Sequence, residues 1–186
     1  MLKNTRASWG AVAQFFHWFI MVLFLAMYII AEQMEDLLPV GEQFLGFGKW
    51  ELYGLHKSTG VLILALVAIR FFWRLVNVTP REDGQMTKLQ TKAAEMVHLG
   101  LYAVMFGMPI SGYVMSMAGG HGITVYGLFK MPDLIGRNKP LAEFAHGAHE
   151  FIWNVFVFLV AVHVLAALYH HFVKKDTVLR RMLPGG

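Results

Sequence analysis

The sequence predicts an all-α fold: a transmembrane four-helix bundle with both termini in the cytoplasm. Three observations carry that expectation. Hydrophobic residues make up 56% of the 186 residues and charged residues 15%, against about 45–50% and 25% in ordinary soluble domains. Four apolar runs each reach the roughly 20 helical residues that cross a bilayer core of about 30 Å. Lys and Arg then gather at alternate ends of those runs, which sets orientation. The chain also has nine histidines and no cysteine. That composition excludes disulfides, thiolate metal sites, iron–sulfur clusters and a cysteine nucleophile.

The first run, Ala11 to Ala31, follows Lys3 and Arg6. It is longer than the apolar region of about 7–15 residues in a signal peptide, and no small-residue cleavage site precedes Glu32, so it reads as a retained helix. The connection after it holds five acids, Glu32, Glu35, Asp36, Glu42 and Glu51. The second run spans Leu55 to Val76, and Thr79-Pro80 with Asp83-Gly84 marks the turn that follows. The third spans Ala93 to Met117. Beyond it a glycine-punctuated stretch predicts a short interfacial segment around Ile123 to Phe129, before Lys139-Pro140 in the same connection. The fourth spans His149 to Phe172. Trp18, Trp50, Trp73 and Trp153 fall near the predicted helix ends, as an aromatic belt requires.

These runs leave no separate soluble domain, so residues 1–186 read as one membrane domain. The net charge of +4 and pI near 9.4 do not point to nucleic acid, because the basic residues lie between apolar runs. Eleven of the sixteen Lys and Arg belong to the N-terminus, the second connection and the C-terminus. Those are Lys3, Arg6, Arg70, Arg74, Arg81, Lys88, Lys92, Lys174, Lys175, Arg180 and Arg181. The excess places both ends of the chain inside.

Histidine inside a membrane span is costly and points to function. Fourteen residues separate His149 from His163, about 40° short of four helical turns and a rise of about 21 Å. The two imidazoles therefore share one face at two depths. His56 enters the second helix at the outer depth, and His17 lies near the inner end of the first. Two histidine pairs, His56 with His149 and His17 with His163, are the ligand set that two b-type haems need in a bundle core. His146 competes with His149, but its phase of about 260° relative to His163 turns it elsewhere. Gly54, Gly60 and Gly147 beside the ligands leave room for a flat macrocycle.

Arg70 and Arg74 lie on roughly the face of His56, about 21 and 27 Å deeper. They are candidate partners for haem propionates or another anion; snorkelling to the interface is the competing reading. His170 continues the His163 face and His98 starts the third helix at the same level, so both are candidates for a proton-coupled quinone site. His171 and His121 read as surface residues, and the methionines as packing.

The runs Phe16-His17-Trp18, Leu55-His56-Lys57-Ser58-Thr59-Gly60 and Pro109-Ile110-Ser111-Gly112-Tyr113 resemble the bacterial cytochrome b561 family. So do Ile69-Arg70 through Trp73-Arg74, and the ending from His163 through His170-His171-Phe172 to Leu179-Arg180-Arg181-Met182. The resemblance covers nearly the whole chain. It implies a four-helix inner-membrane cytochrome with two non-covalent haems b on His17, His56, His149 and His163. It also implies exchange with the quinone pool; one branch oxidises superoxide on the periplasmic side and reduces ubiquinone. His98 and His170 match positions near the quinone end of that branch.

The expected function is electron transfer from a periplasmic one-electron donor, superoxide by resemblance, to ubiquinone, which makes the protein an oxidoreductase. Lys57 and Lys130 provide a basic approach for an anionic donor. A second reading is a non-enzymatic haem subunit that wires a periplasmic redox protein to quinone. A histidine-lined metal transporter is disfavoured, because the pairs lie about 21 Å apart and no Asp or Glu sits mid-membrane.

Overall fold

The computed structural model describes residues 1–80 and 86–184, without the side chain of Asp36. Arg81 and the Asp83-Gly84 turn therefore lie outside the described residues. Four long helices follow one another: α1 (Ala11–Glu32), α2 (Lys49–Val76), α3 (Lys88–Ala118) and α4 (Lys139–Tyr169). Each is long and apolar enough to cross a membrane. Two small antiparallel hairpins sit in the first and third connections, β1 (Gln43–Phe44) with β2 (Phe47–Gly48), and β3 (Thr124–Val125) with β4 (Phe129–Lys130).

α2, α3 and α4 begin six, five and ten residues before the apolar runs do, because polar caps start them outside the hydrophobic span. The Gly48 N–H donates to Glu51 Oε2 at 2.8 Å. Thr87 and Gln90 form a reciprocal capping box, with the Thr87 N–H on Gln90 Oε1 and the Gln90 N–H on Thr87 Oγ1. Asn138 Oδ1 accepts the Leu141 N–H at 3.2 Å, with Pro140 in the first turn. Lys139-Pro140, expected in the loop, thus opens a helix. Trp153, expected near a helix end, lies well inside α4 and stacks on Tyr28 with ring centres 5.5 Å apart.

The bundle centre is packed by Ile20 of α1, Ile63 and Val67 of α2, Val104 and Met105 of α3, and Phe156 of α4. α3 packs most extensively on α4, and α2 contacts both α1 and α3. Phe15, Val22, Phe72, Phe158 and Leu165 stay exposed on the outside. Water would penalise that arrangement, whereas lipid accepts it.

An even number of helices returns the chain to its starting end. Trp18 Nε1 donates to the Met182 carbonyl at 2.8 Å, and the Gln14 amide donates to the carbonyls of Arg181 and Leu183, both at 3.1 Å. The C-terminal tail is thereby tied across the start of α1. We call this the terminal end and the opposite one the hairpin end.

At the hairpin end the segment expected as interfacial, Ile123 to Phe129, forms most of the β3–β4 hairpin. Ile123 and Val125 are buried with Met117. Ser58 Oγ bonds the Thr124 carbonyl at 3.2 Å and accepts the Tyr126 N–H at 3.0 Å, and Thr59 Oγ1 meets the Tyr126 hydroxyl at 3.0 Å. These bonds hold Tyr126 in the left-handed region at φ 47°, a conformation that costs a non-glycine residue about 1–2 kcal/mol. In the same connection Asp133 accepts the N–H groups of Gly136 and Ile135, which holds its carboxyl below the usual carboxylate range.

Candidate functional site

Helix phase brings the four selected histidines together in pairs. His56 of α2 faces His149 of α4 with ring centres 6.4 Å apart and planes at 68°, and His17 of α1 faces His163 of α4 at 6.2 Å and 64°. The two rings of neither pair are hydrogen-bonded to each other, and His56 Nδ1 is buried without a partner. Hydrogen bonding between the paired rings therefore does not account for their facing one another. Two imidazoles on opposite sides of one metal, with metal–nitrogen bonds of about 2 Å, have ring centres about 6.4 Å apart. Both pairs match that spacing, so the residues fit a group that supplies the remaining ligands in one plane. No cluster of three or more His, Asp or Glu that could hold a bare metal ion occurs among the described residues.

His149 is oriented by α3. Its Nδ1 lies 3.0 Å from the Met108 carbonyl and 3.0 Å from Ser111 Oγ. A carbonyl only accepts, so the Nδ1 proton sits on that bond and the Nε2 lone pair faces the other way, the tautomer a metal-binding histidine needs. Gly112 makes the approach possible, since a Cβ there would lie 3.3 Å from His149 Cε1 and 3.5 Å from Nδ1. The Pro109-to-Tyr113 run was noticed in the sequence, but this use of it was not. The one local signal was a proline inside an apolar helical run.

The terminal-end site is more crowded. His98 of α3 reaches His163 with ring centres 5.4 Å apart, too close for a metal between them and consistent with a flanking position. Arg70 Nη2 donates to His17 Nδ1 at 2.9 Å. The Arg70 and Arg74 guanidiniums lie 5.9 and 5.8 Å from the centre of the Tyr102 ring. Sequence reasoning passed over Tyr102, although it follows His98 by four residues and so shares its face of α3.

The other histidines divide. His170 is buried and bonded to the buried Asp176, within one turn of π-helix, His170–Lys174, that extends α4. His146 is exposed and pairs with Glu150 at 3.8 Å, and His121 is exposed. His171, expected at the surface, is half-buried, and its buried Nδ1 has no partner. Around the pairs, a Cβ on Gly54 or Gly147 would meet nothing within 4 Å, and one on Gly60 would meet only Met27 Cε at 4.0 Å. Lys57 is half-buried beside His56.

The sequence profile of prokaryotic cytochrome b561 matches residues 8–185. "Cytochrome b561 homolog 2" of Escherichia coli (strain K12) is 33% identical over 181 residues, covering 97% of this chain and 93% of the relative. "Probable superoxide oxidase CybB" of Yersinia pestis is 32% identical over 130 residues, 70% of this chain and 73% of the relative. "Cytochrome b562" of Cereibacter sphaeroides is 28% identical over 170 residues, 90% and 89%. With four membrane-spanning helices and a match along nearly its whole length, this chain belongs to the prokaryotic cytochrome b561 family, membrane proteins that bind b-type haem and transfer electrons.

Proposed function

We propose that the protein carries electrons across the membrane through two haems b, from a one-electron donor at the hairpin end to a quinone at the terminal end. The observation that carries this reading is the pair of matched spacings, 6.4 and 6.2 Å, made by two histidines of α4 with partners on two other helices. His56 and His149 hold one haem; His17 and His163 hold the other. When bound, the haems supply reversible one-electron oxidation and reduction. The excess of Lys and Arg at the terminal end favours a cytoplasmic location for it, which puts the hairpin end in the periplasm.

At the terminal end Arg70 has two uses. A guanidinium only donates, so a neutral His17 bonded to Arg70 keeps its proton on Nε2. Binding metal through Nε2 requires Arg70 to leave Nδ1, and the freed guanidinium is then available to a carboxylate such as a haem propionate. Arg74 remains over Tyr102. His98, beside His163, is the group placed to hand a proton to a quinone oxygen. His170 serves a different end, since its bond to Asp176 anchors the tail. Quinone reduction takes two successive electrons and two protons, the latter from the cytoplasmic side.

Superoxide is the proposed donor, supported by the similarity to the Yersinia protein and by Lys57 beside His56. Each superoxide gives one electron and leaves as dioxygen. A superoxide pulse on the oxidised, haem-loaded protein is expected to produce the reduced b-type bands, and superoxide dismutase to suppress them. Added ubiquinone should then reoxidise the protein, about tenfold more slowly in His98→Gln. Bands that stay oxidised under superoxide while dithionite reduces them would remove superoxide as donor and favour a redox protein in its place.

A further inference from the structure

The two histidine pairs sit in different electrostatic surroundings, and the difference has a sign. At the terminal end Arg70 touches His17 and lies within Coulombic reach of His163 and His98. Arg74 adds a second cation beside His98. Neither guanidinium has a carboxylate within salt-bridge distance among the described residues. Asp176, the buried acid at this end, is committed to His170 and to the Val178 N–H. At the hairpin end the Lys57 cation lies beside His56, and the carboxylate of Glu150, which also pairs with the exposed His146, lies near His149. There the Met108 carbonyl and Ser111 receive the far side of the His149 ring.

We infer that the His17/His163 site has the higher reduction potential, that Arg74 sets this bias, and that an electron entering at His56/His149 therefore runs downhill to the terminal end. The inference rests on the two-haem reading above. An oxidised site carries one more positive charge than a reduced one, so unneutralised cations in a low-dielectric interior favour the reduced form. A carbonyl that accepts the outer N–H of an axial imidazole makes that ligand more basic and favours the oxidised form. A propionate taken up by Arg70 would offset that cation alone, which leaves Arg74, beside His98, as the uncompensated positive charge at the terminal end. The step moves one electron: the hairpin-end site is oxidised as the terminal-end site is reduced.

Redox titration of the purified, haem-loaded protein, followed by its visible bands, reads both midpoints. His149→Ala, left with the terminal-end site, assigns them. The terminal-end midpoint is expected to be higher by at least a tenfold partition of the electron, about 59 mV for a one-electron couple. Arg74→Gln, which leaves both histidine pairs and their hydrogen bonds intact, should shift that partition at least threefold towards the hairpin end. Ser111→Ala should instead raise the hairpin-end midpoint. Two midpoints that are equal or inverted, or a terminal-end midpoint unmoved by Arg74→Gln, overturn the inference and leave the two-haem reading standing. Uptake of a single haem by the wild type overturns both.

Discussion

His56→Ala and His163→Ala are each expected to lose one haem of two, and not the same one. His56 pairs with His149 at the hairpin end, and His163 with His17 at the terminal end. Each alanine leaves one axial ligand where two are needed, while the other site keeps both. Haem content should fall by half in either variant, and the bands that remain should differ between them and sum to the wild-type spectrum. His146→Ala is the control. His146 is exposed and its partner is Glu150, so both haems should stay. Loss of both haems from either variant would mean that the two pairs do not act as separate sites.

Gly112→Val is expected to empty the hairpin-end site without touching any ligand. Even a Cβ at position 112 would stand 3.3–3.5 Å from the His149 ring, and the branched methyls of valine extend further towards it. Close-packed interiors absorb such an intrusion by displacement. The imidazole is the group that must move, and moving it breaks the Nδ1 contact with Met108 and with it the orientation of Nε2. The variant should therefore resemble His149→Ala, retaining one haem whose spectrum matches the one left in His56→Ala. Full retention of both haems would show that α3 does not position His149.

The sequence made the pairs legible because a helix obeys a fixed rotation per residue, and fourteen residues bring His149 and His163 to one face at two depths. That arithmetic is silent on what His170 meets: its partner Asp176 lies in the tail beyond the π-turn from His170 to Lys174, where helical spacing no longer applies. Helix starts were misplaced because the bilayer sets the length of an apolar run, whereas capping by Glu51, Gln90 and Asn138 decides where the backbone begins to coil. Ser111, Gly112 and Tyr102 were invisible as site residues, since each acts across a helix interface and nothing in its own segment records which neighbour it will meet. Arg70 and Arg74 were found because charge in an apolar run is conspicuous, yet their shared use of Tyr102 needed the packed bundle.

The central claim is that one chain holds two bis-histidine haems b on α4 and two partner helices. Its most direct test is a pyridine-haemochrome assay on the purified wild-type protein, set against protein concentration, with electron paramagnetic resonance on the same oxidised sample. Two haems b per chain, both low-spin, are the predicted result. One haem per chain, or two of which either is high-spin, would contradict it.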